Sequence, residues 1–232
     1  MGYLLLEGGA EFGGRMSEPD LRAIELAGGF NAPIAIVPTA AAPDNNHKRA
    51  GGNGVRWFQG LGAKNVFIVD VIDSTSANDS GLAEQIRNSK IIYLPGGFPR
   101  HLGETLKGSA CWDAALEAFD NGAVIAGSSA GAMVICEHYY DPYERKVLRG
   151  LNLISNALVL PHHNTFGKGW AGALTKSLPG VILLGIDEQT GMVNDGDAGS
   201  EWRVYGGGEV MLYRSGSTVG YERGEHFQLM IS

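Results

Sequence analysis

The stretch that decides the fold of this chain is Ala123-Val124-Ile125-Ala126-Gly127-Ser128-Ser129-Ala130-Gly131-Ala132. An apolar run followed by two closely spaced glycines predicts a buried strand, a sharp turn and the start of a helix. A serine within Gly-x-Ser-x-Gly at such a junction is the sequence form of a nucleophile elbow. Only Ser129 fits, because Ser128 would need glycines where Ala126 and Ala130 stand. The alternative interpretation is a glycine-rich turn that only reverses the chain.

Upstream of this stretch, strands and helices are predicted to alternate. Apolar runs predict strands at residues 3–7, 33–39, 65–69, 91–94 and 123–126. Helices are expected near 18–27, 49–61, 80–88 and 111–120, with a further helical segment containing Leu102 and Leu106. Each predicted strand is almost entirely apolar, which is typical of strands buried on both faces. The pattern therefore predicts an α/β fold with a doubly wound, mostly parallel sheet and helices on both faces.

Downstream the alternation is less regular. Short strands are predicted at 157–160, 182–186, 191–193, 202–205 and 210–213, with a helix around 169–178. Turns of the Asn-Asp-Gly and Gly-Gly-Gly type separate several of them, which favours a short antiparallel extension near the carboxyl end. No repeat or linker interrupts the chain, so we expect one domain over residues 1–232.

Composition excludes several classes of protein. The net charge of −7 and the scattered lysines and arginines argue against a nucleic-acid partner. No apolar window is long enough for a membrane span, and the first residues form neither a basic region nor a cleavage site. The two cysteines, Cys111 and Cys136, form no metal or disulfide spacing, so we expect a cytoplasmic protein. The oligomeric state is left open, with a homodimer as one alternative.

A serine nucleophile needs a histidine within hydrogen-bonding distance to remove its proton. His162 and His163 stand at the end of a predicted strand, where catalytic groups of parallel sheets collect. We choose His162 as the base and expect His163 to be its neighbour or a substrate contact. The other histidines lie in less favourable places: His47, His101, His138 and His226.

The acid that would orient His162 is expected between the elbow and this histidine. Glu137, Asp141 and Glu144 lie in that polar segment. Glu137 is predicted to be still helical, which disfavours it. The residues themselves leave Asp141 and Glu144 as alternatives.

Attack on a carbonyl group also needs N–H donors for the negative charge that develops on its oxygen. One donor is expected from the backbone of Ala130, directly after the nucleophile. The other is expected from Gly97, in the Gly96-Gly97 turn after the adjacent strand. Two consecutive glycines allow the backbone to approach a ligand closely, although a tight turn alone would also explain them.

These features together resemble a known family. The elbow at 127–132, the glycine pair at 96–97 and a histidine about thirty residues after the serine are similar to the serine peptidase family that contains dipeptidase E (aspartyl dipeptidase) and cyanophycinase. The resemblance implies the three-layer α/β fold of class I glutamine amidotransferase-like proteins, with serine in place of their cysteine. It places the nucleophile on Ser129 and the base on His162.

The resemblance also ranks the two acids. In dipeptidase E the acid lies fifteen residues after the serine, which corresponds here to Glu144, so Glu144 is preferred to Asp141. Pro161-His162 is similar to the Pro-His of dipeptidase E, whereas Gly185-Ile186-Asp187-Glu188 looks more like cyanophycinase.

The substrate pocket matches neither activity fully. Where dipeptidase E has Asn-Thr-Phe after its glycines, this chain has Phe98-Pro99-Arg100, so a preference for amino-terminal aspartate is not implied. Arg100 is a candidate anchor for a substrate carboxylate. The residues expected to contact substrate are Gly96, Phe98, Arg100, His163 and Glu188.

The sequence thus predicts a serine hydrolase that cleaves a peptide or isopeptide bond in a small peptide, through an acyl-enzyme and without metal or organic cofactor. An esterase or amidase using the same site is the alternative enzyme. A binding protein that retains the fold without a working triad is the alternative outside catalysis.

Overall fold

The computed structural model describes residues 2–196, 200–214 and 216–231. The strands in chain order are β1 Tyr3–Glu7, β2 Pro33–Ile36, β3 Asn65–Ile68, β4 Ile91–Leu94, β5 Val124–Ser128, β6 Cys136–Asp141, β7 Lys146–Arg149, β8 Ile154–Leu160, β9 Ile182–Ile186, β10 Thr190–Val193, β11 Glu201–Gly206, β12 Val210–Arg214, β13 Ser217–Tyr221 and β14 His226–Gln228. The helices are α1 Ser17–Leu26, α2 His47–Gly60, α3 Ser80–Arg87, α4 Pro99–Leu106, α5 Ala110–Asp120, α6 Ala130–Ile135 and α7 Lys168–Ser177.

The larger sheet has the strand order β14-β11-β10-β1-β5-β4-β2-β3. Its five strands from β1 to β3 in this order are parallel, and β10, β11 and β14 extend it with antiparallel pairs. The predicted doubly wound α/β fold is confirmed. The carboxyl ends of β1, β4 and β5 consequently lie side by side at one edge.

Both faces of this sheet are buried, as the apolar strands require. On one face Leu5 packs in a cluster with Ile24 of α1 and Phe58 of α2. On the other face Leu4 and Leu6 belong to a cluster that includes residues of α3 and α5. Successive residues of a strand point to opposite faces, so one continuous apolar run covers both layers of helices.

A second sheet, not foreseen from the sequence, has the order β13-β12-β9-β8-β6-β7. Its strands β6, β8 and β9 are parallel, and β7, β12 and β13 are antiparallel additions. Val159 and Leu184 of this sheet share the cluster of Leu4 and Leu6, while its other face packs on α7. The predicted antiparallel extension is therefore divided between the two sheets.

The segment after the elbow is where the secondary-structure prediction is wrong. Helix α6 ends at Ile135, and β6 begins at Cys136, so Glu137 and His138 lie in a strand rather than a helix. Tyr139 is buried in the core next to the second sheet, and this tertiary packing decides the local conformation.

Both cysteines are buried and free. Burial raises the pKa of the Cys111 thiol to about 11, which suits a small apolar core residue rather than a reactive one. No helix in the described parts of the chain is long and apolar enough to cross a membrane.

Candidate active site

Ser129 lies in the turn between β5 and α6. Its backbone angles, φ 49° and ψ −111°, are unusual for a residue with a side chain, as expected at a strained functional turn. The flanking glycines are required by close approach: a Cβ on Gly131 would lie 1.9 Å from the carbonyl oxygen of Leu94. A Cβ on Gly127 would likewise meet the backbone of Gly131 at 2.5 Å. The elbow predicted from the sequence is therefore the local structure, and it holds Ser129 at the edge of the sheet.

His162 follows β8, and its ring meets the serine. Its Nε2 lies 3.0 Å from Ser129 Oγ, within hydrogen-bonding distance. The backbone of His162 is left-handed, with φ 49° and ψ 42°. The structure thus brings together the two residues that the sequence predicted as nucleophile and base.

The carboxylate that contacts the histidine is Glu188. Its Oε1 lies 2.8 Å from His162 Nδ1, and its backbone N–H donates to Asn164 Oδ1 at 3.0 Å. Glu188 follows β9, which pairs in parallel with β8, so the carboxyl ends of these strands bring both residues to the same edge. Ser129, His162 and Glu188 form one hydrogen-bonded series.

Neither acid predicted from the sequence contacts His162. Glu144 lies in the turn between β6 and β7, where it binds Arg100 and Lys146. Asp141 is buried and accepts the N–H of Tyr143 at 3.0 Å within the same turn. The prediction is wrong because β6 and β7 form a hairpin that carries this segment to α4.

The sequence predicts Glu188 as a substrate contact, whereas in the structure its carboxylate contacts His162. The signal that could have identified its position is its place directly after the apolar run 182–186, one strand beyond the run that delivers His162. Two consecutive parallel strands place the residues that follow them side by side.

The loop after β1 ties the three residues together. Successive carbonyl groups of Glu7, Gly8 and Gly9 accept the N–H groups of Ser129 at 3.0 Å, His162 at 2.7 Å and the residue after Glu188 at 3.1 Å. The loop also passes directly against the histidine ring, since a Cβ on Gly9 would lie 2.3 Å from its Cε1. The segment after β1 thereby fixes the positions of the three loops that follow β5, β8 and β9 relative to one another.

The two amides expected to bind the oxyanion, those of Ala130 and Gly97, lie at the start of α6 and in the glycine turn after β4. Ala130 is the first residue of α6, so its N–H has no acceptor within the helix. In the glycine turn, the N–H of Gly96 donates to Glu11 Oε1 at 3.0 Å and that of Phe98 to the carbonyl of Ala40 at 2.8 Å. The N–H of Gly97 between them has no partner among the described residues.

A glycine is needed at position 97, because φ is +145° there and a Cβ would lie 2.2 Å from the carbonyl oxygen of Ala40. Glu11 joins this turn to the elbow, since its Oε2 accepts the hydroxyl of Ser128 at 3.1 Å. Gly96 leaves room for the nucleophile, since a Cβ added at this position would lie 3.2 Å from Ser129 Cβ.

Two of the expected substrate contacts have other partners. The guanidinium of Arg100 binds Glu104 at 2.8 Å and also Glu144. His163 is buried, and its Nε2 lies 2.8 Å from the hydroxyl of Tyr213. Phe98 stays beside the glycine turn and stacks on exposed Tyr143, with ring centroids 5.2 Å apart.

A buried pair of acids lies beneath the β1 loop. The carboxyl groups of Glu7 and Asp20 are fully buried and lie next to each other. Tyr93 donates to Glu7 at 2.5 Å, and the indole of Trp57 donates to Asp20 at 2.7 Å. Burial raises the pKa of Glu7 well above its ordinary value and that of Asp20 to about 7. A proton shared between the two groups explains how both can be buried.

No group of three or more histidine, cysteine or acidic side chains in the described ranges is arranged to hold a metal ion.

A serine, a histidine and a carboxylate in series beside free backbone amides, at the carboxyl edge of a doubly wound sheet, are the arrangement that serine hydrolases use. Residues 4–201 match the model of peptidase family S51, and the chain belongs to that family. The family predicted from the motifs is confirmed.

Individual relatives agree with this assignment. The crystal structure of a peptidase from an acI-B1 Actinobacterium superposes with a TM-score of 0.88 at 27% identity, covering 99% of this chain and 97% of that one. A cyanophycinase from Trichormus variabilis is 27% identical over 198 residues, which are 80% of this chain and 64% of that protein. A cyanophycinase from Geminocystis herdmanii is 29% identical over 220 residues, which are 90% of this chain and 79% of that protein. The chain thus aligns with slightly less than two thirds of the Trichormus protein.

Proposed function

We propose that this protein is a serine peptidase that hydrolyses a peptide or isopeptide bond in a small peptide. The observation that carries the proposal is the unbroken series Ser129 Oγ, His162 and Glu188, with spacings of 3.0 and 2.8 Å. Membership of peptidase family S51 and the similarity to cyanophycinases support a peptide-type substrate.

The geometry supports a two-stage mechanism. His162 Nε2 accepts the hydroxyl proton of Ser129 as its oxygen attacks the scissile carbonyl carbon. Glu188 holds Nδ1–H of the ring and stabilises the imidazolium that forms. The oxygen of the tetrahedral intermediate is bound by the N–H groups of Ala130 and Gly97.

The protonated ring then donates its proton to the leaving nitrogen, the carbon–nitrogen bond breaks, and the amine departs. Water, deprotonated by His162, attacks the acyl-enzyme and releases the acid in the reverse of the first stage. The first proton transfer joins Ser129 and His162, which are already in hydrogen-bonding contact, and the proposed cycle uses no metal or organic cofactor.

The first test is Ser129→Ala. Loss of the nucleophile should lower kcat by about 10³-fold or more, while the urea midpoint and circular dichroism stay those of the wild type. A fluorophosphonate should label the wild type and not this variant. Full activity of Ser129→Ala on a substrate that the wild type cleaves would refute the mechanism.

The substrate is then found with a panel of α-dipeptides, β-aspartyl dipeptides and small esters. Peptide or isopeptide turnover well above ester turnover, after correction for the intrinsic reactivity of esters, is the expected result. Cleavage of esters alone would favour the esterase alternative. Wild-type protein that neither reacts with the fluorophosphonate nor cleaves any panel member would favour a binding protein.

A further inference from the structure

A cavity of about 640 Å³ lies between the β6–β7 hairpin and α7, outside the triad. Its wall is mainly apolar and aromatic, with one cation. The residues that matter for its chemistry are Tyr140, Arg145, Val147, Trp170 and Leu174.

A row of aromatic rings connects this cavity with the catalytic histidine. Phe166 stacks on His162 with ring centroids 4.8 Å apart and an interplanar angle of 25°. Trp170 follows Phe166 at 5.5 Å and Tyr140 follows Trp170 at 5.1 Å. Phe166 is 55% exposed although it is a large apolar side chain, so its outer face is open to a ligand.

In the proposed mechanism the leaving group departs on the side of this row. In the proposed mechanism His162 gives its proton to the leaving nitrogen, so the amine departs past this ring. The exposed neighbour of the ring in this row is Phe166, and the cavity begins one ring further on. An extended peptide advances about 3.3–3.6 Å per residue, so the backbone of the first two residues after the scissile bond covers about 7 Å, and the side chain of the second residue covers the remaining distance from His162 to Trp170.

The cation of the cavity has no acidic partner. Arg145 is exposed and forms no ion pair or hydrogen bond among the described residues. Its neighbour Lys146 binds Glu144, and so does Arg100. In a chain with a net charge of −7, a free guanidinium beside an apolar cavity is suited to a carboxylate.

We propose that this cavity binds the leaving part of the substrate: an apolar or aromatic side chain packs against Phe166 and Trp170, and a free carboxyl terminus is bound by Arg145. The inference rests on the proposed function and adds a specificity to it. Substrates are then peptides whose carboxyl-terminal residue, one or two positions after the scissile bond, is apolar.

The apolar half is tested with peptides that share the acyl residue cleaved fastest in the panel above and end in Phe, Leu, Ser or Asp. The wild type should prefer Phe and Leu to Ser and Asp by about 10-fold or more in kcat/KM. Phe166→Ala should lower kcat/KM for the Phe and Leu peptides more than for the Ser and Asp peptides, which removes most of this preference. Because Phe166 is half-exposed, this variant is expected to fold, which circular dichroism checks.

The matched control is Tyr143→Ala. It removes another exposed ring near the site, but one that stacks on Phe98 rather than on His162. The preference for Phe and Leu should survive in this variant. Equal loss of the preference in both variants would overturn the assignment of the subsite to the row of rings.

The carboxylate half is tested with the Phe-terminated peptide and its carboxyl-terminal amide. The wild type should cleave the acid about 10-fold better than the amide, and Arg145→Gln should reduce this ratio to near one. Lys146→Gln, whose lysine already binds Glu144, should keep the wild-type ratio. An unchanged ratio in Arg145→Gln would overturn the role of Arg145.

Failure of the subsite can be told apart from failure of the peptidase. Labelling of Ser129 and peptide cleavage with no preference among Phe, Leu, Ser and Asp overturn the subsite alone. Absence of both labelling and cleavage overturns the proposed function, and the subsite with it.

Discussion

This protein has two neighbouring histidine–carboxylate pairs. The two histidines are consecutive in the sequence, and so are the two carboxylates. His162 pairs with Glu188 at 2.8 Å, and His163 pairs with Asp187 at 3.4 Å. The first pair has side-chain exposures of 19% and 36%, and the second of 2% and 11%. In the more exposed, outer pair, His162 contacts the hydroxyl of Ser129. In the buried, inner pair, His163 contacts the phenol of Tyr213. The same two chemical groups therefore occur once in the proposed catalytic series and once in a buried pair that contacts a phenol.

The difference comes from the backbone and from what the free ring nitrogen meets. The left-handed conformation of His162 turns it and His163 to opposite sides. Each ring lies against a glycine, since a Cβ on Gly9 would lie 2.3 Å from His162 and one on Gly185 would lie 2.4 Å from His163. Solvent access and the group that contacts the other ring nitrogen, rather than the pair itself, distinguish the proposed base His162 from His163.

The largest effect that separates the pairs is expected from Glu188→Gln. A glutamine amide can donate to Nδ1 and so favour the tautomer whose Nε2 carries the proton, which cannot accept a proton from Ser129. We expect kcat to fall by about 10²–10⁴-fold with little change in the urea midpoint. Steady-state kinetics and urea denaturation measure the two quantities.

Asp187→Asn is the matched control, because it changes the acid of the inner pair in the same way. Its kcat per folded molecule should stay within about threefold of the wild type, since this pair does not touch Ser129. If the two variants lost the same activity, the pairs would not be functionally distinct.

A smaller effect, on stability, is expected when the inner histidine is replaced. His163→Gln leaves buried Asp187 and the Tyr213 hydroxyl without their partner, which should cost about 2–4 kcal/mol of unfolding free energy. His162→Gln should cost less than about 1 kcal/mol because its pair is partly hydrated. Urea denaturation at neutral pH compares the two. A larger loss in His162→Gln would reverse the assignment of roles.

The sequence predicted the outer site only in part, for physical reasons. The elbow depends on local backbone geometry, and a local motif reveals it. The partner of His162 depends on which strands lie side by side, and the sequence pattern did not show that β8 and β9 belong to a separate sheet. The acid was therefore placed by distance along the chain, on Glu144, and not by strand order, on Glu188.

The fold shows the same division. Strands that are apolar throughout, such as β4 and β5, were predicted within two residues at each end. The sequence pattern does not predict strand β6, because the polar residues Glu137 and His138 resemble a continuation of helix α6. Nothing local distinguishes such a strand, and the tertiary contacts of Tyr139 decide it.

Glu7 and Asp20 form a third pair, in which both members are carboxylic acids. The pKa values of Glu7 and Asp20 are raised in the folded protein, so the unfolded chain loses these protons first as pH rises. The associated stability is complete below the ordinary carboxyl range near pH 4 and is lost towards pH 7 and above. The slope should be at most about 1.4 kcal/mol per pH unit for each retained proton.

Urea denaturation of the wild type and of Glu7→Gln at pH 5, 6, 7 and 8 isolates this contribution. Glutamine keeps a neutral donor for Asp20 and an acceptor for Tyr93, so the variant should lose stability less steeply than the wild type over this range. Subtracting the two curves removes the contributions that are common to both proteins. Identical slopes would show that the pair does not share a proton.

The smallest effect is expected from Glu144→Gln, which tests whether the choice of acid follows chain spacing or geometry. Glu144 is exposed and its partners are Arg100 and Lys146, and exposed ion pairs contribute about 0–1 kcal/mol. The variant should keep kcat/KM within about twofold and unfold within about 1 kcal/mol of the wild type. A loss of kcat comparable to that of Glu188→Gln would mean that His162 uses Glu144 during turnover. Glu144 lies in the turn between β6 and β7, whereas Glu188 lies in the loop after β9. That result would therefore require the β6–β7 hairpin to move towards His162.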